Sequence, residues 1–134
     1  MADIDVLDRF TTSSVETFFD SLLRGRLTDN LFYNSLPTNI RKRWKECAVV
    51  DVANPMRDYD SHMVGTVLVF LYAKQNDYGI KNVKVLQEQE RKLNRLIEES
   101  RDEHYHISRR GSYSNYDAVN DIYYNVVQIN LIVT

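Results

Sequence analysis

Val67-Leu68-Val69-Phe70-Leu71, the centre of a segment from Met63 to Tyr72, is an apolar run without alternation. A strand with one wet face alternates with period two, so this run predicts a central strand covered on both faces. One face is expected to pack on helix. The other needs a different cover, such as a neighbouring subunit.

Upstream, Cys47-Ala48-Val49-Val50-Asp51-Val52-Ala53 is rich in strand formers. It is expected to stop at Asn54-Pro55, since proline donates nothing to a ladder and restricts the residue before it. Arg57 to Ser61 then reads as a polar loop. Asp29 to Pro37 is turn-rich and predicts a loop with one short edge strand. Before it, Ser13-Ser14-Val15-Glu16 has the form of a capping box. Val15, Phe18, Phe19, Leu22 and Leu23 make one apolar stripe of a short helix, which Gly25 is placed to end.

Downstream, Asn76-Asp77-Tyr78-Gly79 reads as a turn, and Lys81 to about Ser100 as a long helix. Val83, Leu86, Leu93 and Ile97 form its stripe with Leu96 beside it, and Glu90 interrupts the seam, as a residue at the core rim does. Two strands close the chain, from Tyr105 to Arg110 and from Ile122 to the end, where Val127, Ile129, Leu131 and Val133 recur with period two. Gly111 to Asp117 between them reads as a connection longer than a tight hairpin needs. No internal repeat or domain boundary interrupts residues 1–134. The order predicts a single α+β domain: a mainly antiparallel four- to five-stranded sheet, with a short N-terminal helix and one long helix packed on one face.

A chain of 134 residues is long enough to bury a core without disulfides or metal. A net charge of -2 excludes a generally basic nucleic-acid binder, so any basic site is local. The single cysteine, Cys47, closes no intramolecular disulfide, which suits a reducing compartment. With no apolar stretch near the length of a membrane span and no cationic, apolar start, the protein is expected to be soluble and intracellular at synthesis. Nine tyrosines stand against five phenylalanines and one tryptophan. Tyrosine supplies contact area with a hydrogen-bonding tip, so this bias suits protein interfaces, with Tyr113, Tyr116 and Trp44 as interface candidates.

Chemistry is harder to find. His104 and His106 fall on one face of a predicted strand, and Asp51, Asp58 and Asp60 lie near one another in sequence, but neither group has ligand or acid-base spacing. Cys47 in an apolar strand reads as a core thiol. No phosphate cradle, nucleophile elbow or zincin motif occurs, so the chain reads as a non-enzyme with no catalytic residue, metal or cofactor. Four cations surround Trp44 in Arg41-Lys42-Arg43-Trp44-Lys45, and Arg109-Arg110 form a second cluster. Arg41, Arg43, Arg109 and Arg110 are the candidates for facing DNA or an acidic partner, and a small nucleic-acid-binding module is an alternative reading.

Ser35-Leu36-Pro37-Thr38-Asn39-Ile40, the basic segment with Trp44, the strand Val49 to Asn54 and the later Gly65-Thr66-Val67-Leu68-Val69 resemble the tail-terminator, or tail-completion, proteins of long-tailed bacteriophages. The likeness is one of pattern and covers most of the chain. It implies a structural virion protein, a homohexameric ring that caps the tail tube and joins it to the head connector. Its partners would be itself, the tail-tube protein and head-tail connector proteins, with non-specific contact to DNA in the lumen and none to membrane. Its place would be the tail or neck of the virion, after assembly in the host cytoplasm. Other phage neck or head-completion proteins share the same pattern.

Overall fold

The computed structural model describes residues 4–37, 45–58, 62–75 and 78–134, with residues 54–58 as backbone. Arg41, Lys42, Arg43, Trp44 and Asp60, and the Asn76-Asp77 half of the expected turn, lie outside the described residues.

In order, the elements are α1 (Ile4–Arg9), α2 (Thr12–Leu23), β1 (Leu31–Tyr33), β2 (Glu46–Asp58), β3 (Met63–Ala73), α3 (Val83–Glu99), β4 (Tyr105–Asp117) and β5 (Ile122–Val133). The sheet has the order β1-β2-β3-β5-β4. Among the strand pairs of the described residues, the β1–β2 pair alone is parallel. This is the expected α+β domain, with β1 as the short edge strand foreseen in the turn-rich segment and α1 as a further small helix.

β3 is central, in continuous antiparallel register with β5 from Met63 opposite Val133 to Ala73 opposite Tyr123. Val67, Val69 and Leu71 point to one face and are fully buried. There they join Val50 of β2, Val127, Ile129 and Leu131 of β5, Val15, Phe19 and Leu23 of α2, and Leu86 and Leu93 of α3 in the main core. The buried apolar residues of all three helices belong to this cluster, so the helices cover one face, as expected. The other face of β3 carries Val64, Thr66, Leu68, Phe70 and Tyr72, because side chains alternate along a strand. Phe70 and Tyr72 belong there to a second, thinner cluster built on Cys47, Val49 and Ile122, to which Phe32, Leu36 and Tyr124 add.

Several local readings are corrected. The N-cap of α2 is Thr11, not Ser13: its Oγ1 accepts from the Ser14 amide at 3.2 Å, and the Ser14 hydroxyl donates on to the Asp8 carbonyl. Gly25 does end the helix, at a φ of 76° that a side chain disfavours. β2 does not stop at Asn54-Pro55. Ala53 pairs with Thr66 and Arg57 with Val64, so Asn54, Pro55 and Met56 stand opposite Gly65 alone. A bulge of this kind takes up a residue with no N–H without ending the strand.

The buried stripe of α3 is Leu86, Gln89, Leu93 and Ile97, while Val83 at the first turn is exposed. Gln89 can occupy the core because its amide donates to Glu46 Oε2 at 2.9 Å and to the Tyr72 carbonyl at 3.5 Å. Glu46 also accepts from the Thr28 hydroxyl at 2.9 Å, so one carboxylate ties the α2–β1 turn to α3. Glu90 sits partly buried at the rim, as expected.

The observed cap predicts unequal effects for two neighbouring substitutions. Thr11→Ala is expected to cost about 1 kcal/mol of unfolding free energy. Ser13→Ala, at an exposed position, is expected to stay within about 0.5 kcal/mol. Urea denaturation of both variants measures the difference.

Candidate functional site

β4 is exposed along most of its length and forms a hairpin with the more buried β5. The expected connection Gly111–Asp117 is the second half of β4, paired residue by residue with Gln128 to Ile122. Its turn falls later, at residues 118–121, and is organised by Asp117. The Asp117 carboxylate accepts from the amides of Val119 (3.0 Å) and Asn120 (3.1 Å) and from the Asn120 side chain (2.7 Å). Burial by itself would raise the carboxyl's pKa, but these hydrogen bonds outweigh it and hold the group below the usual carboxylate range.

The two candidate tyrosines separate. Tyr113 lies opposite Val126, on the face away from the helices, and is 48% exposed. Tyr116 lies opposite Tyr123 on the helix side, with ring centroids 4.7 Å apart, and its hydroxyl bonds the Asp121 carboxylate. Asp121 in turn accepts from the Gln75 amide at 2.7 Å through its carbonyl, joining the turn to the end of β3. Tyr116 therefore braces the hairpin, although 41% of it remains exposed. Val119 at the tip and Ile132 on the helix-free face add exposed aliphatic surface.

The two candidate arginines also separate. Arg109 was expected to face a partner rather than serve an ion pair. Instead its guanidinium donates to Glu90 at 3.1 Å and to the Ser112 hydroxyl at 2.8 Å. Glu90 also accepts from Asn125 at 3.4 Å, so the polar residue interrupting the α3 stripe is the anchor for β4 and β5. Arg110 is the extra residue of a bulge, between Arg109 opposite Ile129 and Gly111 opposite Gln128, and is exposed.

On the helix-free face, Phe70, Tyr72 and Tyr124 form an aromatic group with centroids 5.1 to 6.5 Å apart. Burial raises the Tyr72 phenol's pKa, so it stays neutral across the physiological range. Burial, with a smaller contribution from Glu46, pushes the Cys47 thiol up to about 12, which makes it inert as a nucleophile. His104 and His106 both approach Thr134, through its carbonyl at 3.1 Å and its hydroxyl at 3.3 Å. A cleft of about 440 Å³ between α3 and β4 is lined by Asn94, Ile97, Arg101, Ile107, Ser108 and Arg109, among others. These groups offer hydrogen bonding and apolar contact.

The sequence did not reveal the Glu46–Gln89 and Glu90–Arg109 links. Their one trace was a polar interruption of an apolar helical stripe. No protein-family model matches the chain, and no curated protein is recognisably similar to it.

The site generates two predictions. Tyr116→Ala is expected to cost about 1 kcal/mol, by loss of a ring contact and a hydrogen bond, while Tyr113→Ala leaves stability within about 0.5 kcal/mol. Equal losses in thermal denaturation would place both rings in the subunit's own packing. Likewise Arg109→Gln is expected to destabilise by no more than about 1 kcal/mol, since its partly exposed ion pair is screened, and Arg110→Gln by nothing measurable. The same melts compare them.

Proposed function

We propose that this chain is a structural assembly subunit of a phage virion, of the tail-terminator kind: a ring that caps the tail tube and joins it to the head connector. The observation that carries the reading is the exposure of Tyr113, Val119 and Ile132 on one long hairpin, in a chain whose helices all pack on the other side of the sheet or at its rim. Tyr113, Ile132 and Val119 are spaced along the hairpin and its turn, and exposed side chains of this kind suit contact with another protein, where tyrosine offers area at low entropy cost. The α+β fold is compatible with many functions, so the argument rests on this surface together with the sequence resemblance.

In this reading the subunit performs no chemistry. A ring joins two different patches of each copy, and the tail-tube and connector proteins meet its two ends. DNA passing through the lumen would touch side chains such as Arg110 without sequence preference, because phosphate contacts carry no base information.

The test is imaging of tails assembled with and without the purified chain. A closed ring at the tube end, with tubes that cease to grow once it binds, is the expected result. Tubes that lengthen unchanged, with no ring at their ends, would overturn the proposal.

A further inference from the structure

The last turns of α3 and the first half of β4 enclose the cleft of about 440 Å³. Its apolar lining is Ile97, 6% exposed, and Ile107, which lies opposite Leu131 on the helix side of β4. Both pack with the main core, so the fold fixes this part of the cleft. Hollows of a few hundred cubic ångströms between elements, with an apolar lining and a few placed polar groups, are the usual form of small-ligand sites.

The polar groups are specific in kind. Arg101 donates from Nη1 to the carbonyls of Glu98 and Ser100, at 2.8 Å each. These bonds hold the guanidinium at the end of α3. They leave Nε and Nη2 without a partner among the described residues, and that side-by-side pair is the one from which a carboxylate accepts two parallel hydrogen bonds. Among the described residues Arg101 has no ion pair. Arg109 lines the strand side, with its Nη2 already given to Glu90 and Ser112.

Glu90, on Arg109, and Glu98, exposed in the cleft wall, balance the two arginines in charge. Recognition therefore rests on the open guanidinium edge, and one carboxylate suits the site better than a multiply charged anion. Asn94 lines the same wall, and its Oδ1 is buried with no hydrogen-bond partner among the described residues. A folded chain seldom leaves such an acceptor unmet, and a donor on a ligand would meet it once the amide turns toward the cleft.

We propose that this cleft binds a small monocarboxylate that has an apolar body and an N–H or O–H donor beside the carboxylate. Arg101 takes the carboxylate, Asn94 Oδ1 the donor, and Ile97 and Ile107 the body. An N-acylated apolar amino acid has all three parts. The site is independent of the ring reading, since one free subunit contains it whole.

The experiment titrates the full-length chain with N-acetyl-L-leucine and follows assigned backbone amide resonances. Saturable shifts at Asn94, Arg101 and Ile107 are the expected result. N-acetyl-L-leucinamide, which lacks the carboxylate, and isocaproate, which lacks the donor, are each expected to bind about tenfold or more weaker, the scale of one hydrogen bond to a charged or buried group. Arg101→Gln is expected to weaken the acid about tenfold or more and to leave the affinity for the neutral amide unchanged, which separates a lost carboxylate contact from a disturbed cleft.

An absence of saturable shifts overturns the site, as does equal binding of the acid and its amide. Shifts centred on Phe18 and Leu22, in the smaller hollow that Arg101 borders against α2, overturn it too. Equal binding of isocaproate and N-acetyl-L-leucine overturns the Asn94 contact. A ring on assembled tails with no binding of N-acetyl-L-leucine removes this proposal and leaves the ring; binding with no ring does the reverse.

Discussion

A slip of β3 by one residue against β5 would turn Val67, Val69 and Leu71 away from the helices and bring Leu68, Phe70 and Thr66 beneath them. Because side chains alternate, that register decides which face every other strand shows. β3 pairs without interruption along β5, and the three residues it places under the helices are fully buried. Irregularity is displaced outward: one bulge sits in β2 and one in β4, the two strands flanking the β3–β5 pair. The centre is thereby fixed while the flanks adjust.

Each flank has a polar tie where apolar contact is incomplete. On the helix side of the sheet, Glu46 holds Gln89 and Thr28 toward the β2 flank, and Glu90 holds Arg109 and Asn125 toward the β4 flank. A carboxylate that accepts from two or more donors offsets much of its own desolvation, which is why such groups survive beside a core. The ties also consume charge. Arg109 is drawn toward α3, so the local excess of cations read in Arg109-Arg110 shrinks in the folded chain to the bulge residue Arg110.

The elements legible in the sequence were those in which periodicity and burial coincide. The β3 run, the α2 stripe ended by Gly25 and the alternation of Val127 to Val133 each answer to a core position. Gly111–Asp117 was misread for the converse reason. Its side chains are mostly exposed, so no hydrophobic alternation marks it, and glycine, serine and asparagine imitate a turn. Pro55 misled in the same way, because the rule that proline ends a central strand omits the bulge. Gln89 was passed over in the helical stripe because the acceptor for its side-chain NH2 is Glu46, a residue brought near only by the fold.

The same distinction bears on the candidate surface. Tyr113 and Tyr116 share one short stretch and were indistinguishable as candidates, yet the strand geometry sends them to opposite faces, one beside Val126 and one against Tyr123 and Asp121. A ring that its own chain already engages contributes to stability before any partner arrives, so its exposure is a remainder of packing. A ring without such a partner contributes less to the isolated fold, and its exposed area is available to a contact. Interface residues of an assembly protein are thus least visible to reasoning from the core. In this chain it is the strand pairing on either side of a bulge, more than residue type, that separates a brace from a contact.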